Sequence, residues 1–405
     1  MIVDKTLIFK HRDGHSLDPF LAYPAAQHPV LLQLGGNAPA ELAEAVRLAG
    51  PYAYDEINLN CGCPSPRVSG KGCFGAALMK DPPSVRALVG AMREASMVTT
   101  GAPVTVKCRL GVDDQDSYPE LAAFVRETSA QADVHHFVLH ARKAFLEGLS
   151  PAQNRSVPPL KRDWVYRLLD DFHDLTFSIN GGVQTLAEAR DLLSRDSRLE
   201  GVMIGRAAYK APWQTLSDAD RCIFGEASNP ATSRRQVLAD YAALCDAELE
   251  ARGLSGAQPH TPSSSSSSSH GVVHGDHTHA RKGIVRRMIK PLLTLFQAEP
   301  GVKAWRRNLD QHLLRTDAPT VAEIVARAAE GVPSAQLDAP PPQTPPSSIF
   351  SLQQEGEGEG NVRAEGGERG EGGAKAGQVE GERESGMPRP LGAGPVAAAR
   401  APILG

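Results

Sequence analysis

Along the first half of the chain, short apolar runs close repeatedly in polar or glycine residues. Residues 29–36, PVLLQLGG, form the first such run, long enough for a buried strand. Residues 56–60, EINLN, form the second, and there Asn58 and Asn60 alternate with Ile57 and Leu59. Side chains alternate across a strand, so one face of this strand is polar and aimed at something other than the core. Residues 103–111, 136–142, 175–182 and 201–206 repeat the pattern. Helical periodicity fills the gaps. Leu42, Ala45 and Val46 share one face of residues 39–48, and Leu121, Phe124 and Val125 share one face of residues 118–130. Asp81 followed by Pro82 predicts a capped helix start, with Val85, Leu88, Val89 and Met92 turned inward. Residues 164–172 and 185–193 complete the set.

Six strand-then-helix units in series imply a parallel sheet with crossover helices. All six strands end in groups able to bind or react, as at a barrel rim. A doubly wound sheet gathers its ligand groups at one switch point instead. The expected fold class is therefore α/β, a (β/α)8 TIM barrel. Eight strands are needed and six are visible; residues 1–28 offer at most one ragged element, around residues 6–9. The barrel is expected to lack about two N-terminal strands, which leaves it open along an edge.

Beyond Arg206 the pattern turns helical. Residues 234–252 carry an apolar stripe of Val237, Leu238, Tyr241, Leu244, Cys245 and Leu249. Residues 253–278 read as a low-complexity linker, with an unbroken serine run from Ser263 to Ser269 and many histidines. Helices are predicted again at 281–298, 302–314 and 320–330, giving a small α-helical bundle. From 331 onward Pro, Gly and Glu dominate, a composition that cannot bury a core and predicts a disordered tail. The expected domains are an incomplete barrel over 1–230, a helical domain over 231–330 with its insert at 253–278, and a tail over 331–405.

Charge changes this picture in one respect. The 405 residues are 41% hydrophobic and carry a net charge of -4, which shows no nucleic-acid signature. That average hides a partition. Arg281, Lys282, Arg286, Arg287, Lys290, Lys303, Arg306, Arg307 and Arg315 crowd the helical domain after the linker, against only Glu299 and Asp310 up to Arg315. Such a basic patch is the electrostatic footprint of phosphate binding. No apolar run approaches the roughly 20 residues that span a bilayer. The N-terminal MIVDKTLIFKHRDG lacks the features of a targeting segment. Free thiols without a leader fit a reducing compartment, so a soluble protein of the cytoplasm or an organelle is expected.

Cys63 stands in Gly62-Cys63-Pro64, just past the polar strand end. A thiol there can serve as nucleophile, metal ligand, redox partner or general acid, or it can be an inert buried group. A zinc site would want further paired ligands at matching spacing. Beyond Cys61 only Cys73 is near, so no metal is expected. Asn58, Asn60 and the glycines around Cys63 weigh against an inert thiol. Asn180-Gly181-Gly182 before a helix, and Gly205-Arg206 after the last strand, fit an anion site, because glycines let backbone N–H groups approach a phosphate. Plain glycine turns are the alternative. Barrels commonly bind phosphate at the loops after strands seven and eight, and with two strands missing these are the loops concerned. Gln33, Lys107 and His140 end three further strands and can face a planar cofactor. No GxGxxG follows a strand, so a Rossmann dinucleotide domain is not indicated and FMN fits better.

The motifs LNCGCPSPRVSGKGCFGAALM, VKCRLGVDD, LHARKAFLEGLSPAQNR, SINGGVQTLAEA, GVMIGRAAY and LFQAEPGVKAWRRNL occur in this order. Together they resemble the tRNA-dihydrouridine synthases, A type, over residues 6–315. The resemblance implies an FMN-bound barrel followed by a helical tRNA-binding domain. It implies reduction of a uridine of the tRNA D-loop, at positions 20 and 20a, to 5,6-dihydrouridine with NADPH. By the same resemblance Cys63 is the general acid that protonates uracil C5 as hydride arrives at C6. Gln33, Lys107, His140, Asn180, Gly181, Gly182, Gly205 and Arg206 would contact FMN. Asn60, Arg155, Lys303 and Arg306 would meet the tRNA. An ordinary thiol is mostly protonated at neutral pH, which suits a proton donor. Extruding a uracil from its stack costs a few kcal/mol, which phosphate contacts can offset. A monomer with tRNA as its partner is expected. Family members begin with a strand bearing Ala-Pro-Met and then a second strand, and the chain is expected to start after both. Two alternatives stand beside this reading: an RNA-binding remnant impaired in catalysis, and an FMN barrel that reduces a free pyrimidine.

Overall fold

The structure is a computed structural model that describes residues 1–70, 74–130, 134–254, 274–314 and 320–344. Its centre is a 7-stranded sheet of β1 (Ile2–Val3), β2 (Leu31–Gly35), β3 (Glu56–Cys61), β4 (Val104–Arg109), β5 (His136–His140), β6 (Thr176–Asn180) and β7 (Leu199–Met203), paired in that order. Every neighbouring pair is parallel. Sequential parallel strands with helices between them make a TIM-barrel-like wall, with β1 and β7 at its edges.

Strand β1 is the one that the hydrophobic pattern does not reveal. It has 2 residues, too few to alternate, and joins the sheet through Ile2 beside Leu34 and Val3 beside Gly35. The wall thus has one strand more than the pattern predicts, and of the two N-terminal strands expected to be missing one is represented. The ragged element expected at 6–9 is a helix, Asp4–Arg12.

Strands β3 and β4 show how the wall sorts its side chains. Ile57, Leu59 and Cys61, with Val104, Val106 and Cys108, are buried in the main apolar core. The alternate residues Glu56, Asn58 and Asn60, with Thr105, Lys107 and Arg109, take the opposite, inner face. That face is polar, where most barrels fill the interior with branched aliphatic side chains. Helix starts follow their caps. Asp81 accepts from Ser84 N at 3.2 Å ahead of Pro82–Met97, and Thr185 accepts from Glu188 N at 3.1 Å ahead of Leu186–Arg195. Ser117 and Glu120 cap Tyr118–Ser129 reciprocally.

A second apolar core lies among the C-terminal helices Arg234–Ala251, His274–Ile289, Val302–Leu314 and Val321–Ala329. Trp305 is fully buried in it, edge-on to Phe296 at 5.0 Å, and donates from Nε1 to Leu292 O at 2.9 Å. Arg234 is buried beneath. It pairs with Glu299 at 2.7 Å, donates to Leu295 O and Gln336 O, and lies over the rings of Trp213 and Phe296.

Element boundaries here differ from the predicted ones. The helix expected over 281–298 begins at His274, inside the predicted linker. It ends at Ile289, because Pro291 has no N–H to continue it, and Lys290–Thr294 makes a 3-10 turn. The predicted tail is packed over its first residues: Val332 and Leu337 are buried, and Thr344 N donates to Asp218 Oδ2 at 2.7 Å. Cys73, residues 255–273 with the serine run, Arg315 and residues 345–405 lie outside the described residues. Arg281 Nε donates to Leu254 O at 3.0 Å, so the chain just before 255–273 is pinned to the helix that follows. Among the described residues, no helix is long and apolar enough to cross a membrane.

Trp305→Ala deletes the largest fully buried side chain together with its hydrogen bond. It should cost about 3–5 kcal/mol of stability, read as a lowered denaturant midpoint with no change at the barrel rim.

Candidate active site

Strand β3 runs directly into the turn that carries Cys63. Asn60 Oδ1 accepts from Gly62 N at 3.2 Å and from Cys63 N at 3.0 Å, so the last amide of the strand folds the turn back on itself. Gly75 takes a φ of 69°, and a side chain there would meet Cys63 O at 2.6 Å; only glycine lets the chain pass so close. Cys63 is half-buried. Cys61 and Cys108, side by side on β3 and β4, are buried, and burial pushes both thiols up, Cys108 to about 12. Of the described thiols near this turn, Cys63 alone is accessible.

Two cations stand beside the turn, Lys107 half-buried and Arg109 buried. Lys107 Nζ donates to Asn180 Oδ1 at 3.0 Å, and Asn180 Nδ2 in turn donates to Met203 O at 3.0 Å. Burial, helped by repulsion from Arg109, pushes the Lys107 ammonium down to about 8, so it remains mostly charged at neutral pH. Arg109 is 4% exposed and donates to Gly62 O at 3.1 Å, Lys143 O at 3.2 Å and Asn154 O at 2.8 Å. One guanidinium therefore ties the Cys63 turn to the segment that carries Arg155.

A cavity of about 580 Å³ opens at the ends of β5, β6 and β7. The predicted residues His140, Arg155, Asn180, Gly181, Gly182, Gly205 and Arg206 line it together with Arg142, Arg162 and Lys210. Its acid, Glu188, is paired with Arg162 at 2.7 Å, so the wall is strongly cationic. Gly181 and Gly182 adopt φ values of 118° and 75° and bring bare backbone to the cavity floor. Burial first, and then the cations Arg109, Lys107, Arg142 and Arg206, push the His140 imidazole down to about 2. The ring is neutral at physiological pH and offers one donor and one acceptor. His140 Nδ1, Arg142 Nε and Arg162 Nε are buried without a hydrogen-bond partner. Crowded cations repel one another and unpaired buried polar atoms are costly, and an anionic, hydrogen-bonding ligand relieves both costs. The residues present therefore fit a phosphorylated cofactor such as FMN.

The structure gathers most of the predicted residues. Gln33 reaches the Cys63 turn through amides, accepting from Asn60 Nδ2 at 2.9 Å and donating to Asn58 Oδ1 at 2.8 Å. Lys303 and Arg306 lie elsewhere, on Val302–Leu314. Lys303 is exposed, but Arg306 donates to Leu293 O at 3.0 Å and Gln297 Oε1 at 2.6 Å, so much of its guanidinium is engaged within the bundle. A larger basic surface sits on His274–Ile289 and the residue after it. There Lys282, Arg286, Arg287 and Lys290 border hollows of about 390 and 520 Å³. Arg109, Arg142, Arg162 and Lys210 are not singled out by the sequence as site residues. Arg109 and Arg142 each lie two residues past a predicted contact, Lys107 and His140, and this spacing is the signal that could have found them.

Residues 14–330 match the model of the family described as Dihydrouridine synthase (Dus). The chain belongs to the dihydrouridine synthase family. Its similar relatives include the tRNA-dihydrouridine(20/20a) synthase of Vibrio vulnificus (strain CMCP6), 41% identical over 298 residues, which are 74% of this chain and 79% of that protein. The protein of the same description from Escherichia coli (strain K12) is 42% identical over 304 residues, 75% of this chain and 76% of that one.

The His140 ring of this dihydrouridine synthase family member should show no NMR titration step near the ordinary value of about 6.5. A histidine whose folded value lies below its unfolded one stabilises fully above the unfolded value and loses that contribution as pH falls toward the folded one. His136, pushed down to about 4 by burial, adds to the same loss. Unfolding midpoints should therefore drop as pH falls from about 6.5 toward 4, and His136→Gln should flatten that slope.

Proposed function

We propose that this chain reduces a uridine of tRNA to 5,6-dihydrouridine, with FMN as cofactor and NADPH as reductant, and that Cys63 supplies the proton. The observation that carries this reading is the cationic, glycine-floored cavity joined through Arg109 to the turn of the accessible Cys63 thiol. The names of the relatives supply the substrate, a uridine at position 20 or 20a of tRNA.

Gln33, Lys107, His140, Asn180, Gly181, Gly182, Gly205 and Arg206 would hold the cofactor. When bound, FMN supplies a hydride to uracil C6. The Cys63 thiol gives its proton to C5, so the 5,6 double bond gains one hydride and one proton. Lys107, charged at neutral pH and held by Asn180, stabilises negative charge that develops nearby in a site of low dielectric. His140, neutral, can donate to the ligand without adding repulsion to the surrounding cations. Asn60 and Arg155 at the rim would meet the extruded uridine and its neighbours. Lys303 and the basic surface of Lys282, Arg286, Arg287 and Lys290 would take RNA phosphates. Arg306 would contribute less than expected, since its guanidinium is already engaged.

Incubation of the protein with FMN, NADPH and an unmodified tRNA transcript should add two hydrogens to one uridine of the D-loop, read by mass spectrometry of the digested RNA. No gain at any uridine would refute the proposal. Cys63→Ala should lower turnover by about 10²-fold or more while leaving tRNA affinity unchanged. Replacing Arg286 and Arg287 together by Ala should weaken tRNA binding and reduce the slope of log affinity against log salt by about 2. An unchanged slope would place the RNA elsewhere.

A further inference from the structure

Inside the barrel, polar side chains join into a single line of hydrogen bonds that runs from the Cys63 turn toward the opposite end of the sheet. Cys63 N donates to Asn60 Oδ1 at 3.0 Å, Asn60 Nδ2 to Gln33 Oε1 at 2.9 Å, and Gln33 Nε2 to Asn58 Oδ1 at 2.8 Å. Asn58 Nδ2 donates to Thr105 Oγ1 at 2.8 Å, and Thr105 Oγ1 donates to Glu56 Oε1. Strand register makes the line possible. Asn58 stands beside Gln33 of β2 on one side and beside Thr105 of β4 on the other, and Glu56, Asn58 and Asn60 share one face of β3. Asn58 is 1% exposed, Thr105 3% and Asn60 8%, while Gln33 and Glu56 are half-buried, so water has little access to the Asn58–Thr105 bond at the centre of the line.

Chemistry fixes both ends. A backbone N–H can only donate, and an ionised carboxylate can only accept. Burial pushes the Glu56 carboxyl up to about 6, against the Thr105 bond that holds it down, so it remains ionised at neutral pH. Every link between the ends must then point the same way. None of the amides can turn over without breaking at least two bonds and leaving polar groups unsatisfied, which is costly where they are buried. Serial hydrogen bonds also polarise one another in a low dielectric, so the line acts as a unit. Glu56 begins β3, at the end remote from Cys63, and enters this line through its bond from Thr105.

We infer that Glu56 and Thr105 are positioning residues: they lock the orientation of the Gln33 and Asn60 amides and, through Asn60, the seat of Cys63. Their effect on turnover rests on the reading of Cys63 as proton donor, but their effect on the turn can be measured without cofactor or RNA.

Thr105→Val keeps the shape and removes the hydroxyl link, Thr105→Ser keeps the link, and Glu56→Leu removes the terminal acceptor. In the full chain without cofactor, amide hydrogen exchange in the peptide holding Gly62 and Cys63 should quicken by about tenfold in Thr105→Val and Glu56→Leu. In Thr105→Ser it should stay near the wild-type rate. Alkylation of Cys63 by iodoacetamide should shift in the same order, while Cys222, also half-buried, keeps its rate and reports an intact fold. In the loaded enzyme, Thr105→Val should lower kcat more than it changes KM for tRNA, and Thr105→Ser should restore kcat. Should Glu56→Leu fail to fold, the two Thr105 variants decide alone. Wild-type exchange and alkylation at the turn in Thr105→Val would overturn the inference. A wild-type protein without turnover would count against the proposed function, whereas exchange at the turn would still decide the positioning role.

Discussion

Positive charge drawn into the barrel interior, with hydrogen bonds to amides and carbonyls in place of a carboxylate, is the constraint on which this rim depends. Lys107 and Arg109 project from the inner face of β4, and their hydrogen bonds go to the Asn180 side chain and to backbone carbonyls. A buried cation costs several kcal/mol unless dipoles or anions replace its lost water. That requirement explains why the interior carries Asn, Gln, Thr and His where aliphatic side chains would pack more simply. The neighbouring cavity, lined by arginines with glycines Gly181 and Gly182 in its wall, continues the same excess of positive charge and suits an anionic ligand.

The same constraint joins parts of the chain that are distant in sequence. Arg109 holds Gly62 O and Asn154 O at once, so the turn that presents the thiol and the segment that presents Arg155 cannot shift independently. Asn180 holds Lys107 on one side and Met203 O on the other, which couples three strands of the wall. Farther along, buried Arg234 also joins distant segments, between the barrel's last turns and the helical bundle, but there a carboxylate, the partly exposed Glu299, is its partner and the rings of Trp213 and Phe296 lie against it.

How much of this is legible in the sequence depends on whether the information is local. Strands β2 to β7 each carry an apolar run ending in glycine or a polar group, and Cys63, Lys107, His140 and Asn180 stand at such ends; periodicity finds them. Strand β1 has no period to find. Arg162 and Lys210 approach the cavity from a loop and a short helix, where a basic residue is ordinarily just solvated. The engagement of Arg306 depends on Leu293 and Gln297 being brought to it by the preceding turn. The Glu56 line depends on register: Asn58 and Thr105 are 47 residues apart in the chain and meet only because β3 and β4 pair as they do. Polar alternation in EINLN reveals that its inner face has a purpose, but the partners are set by neighbouring strands.

The bond from Arg281 Nε to Leu254 O has a practical consequence. It pins the chain on one side of residues 255–273 to the helix on the other, so the two ends of that segment are held close together. Loop-closure entropy rises only by about 0.6 kcal/mol for each doubling of length. This junction therefore suits use as a grafting port, where an epitope, a fluorescent protein or a second RNA-binding module joins two ends already held together and adds little closure entropy.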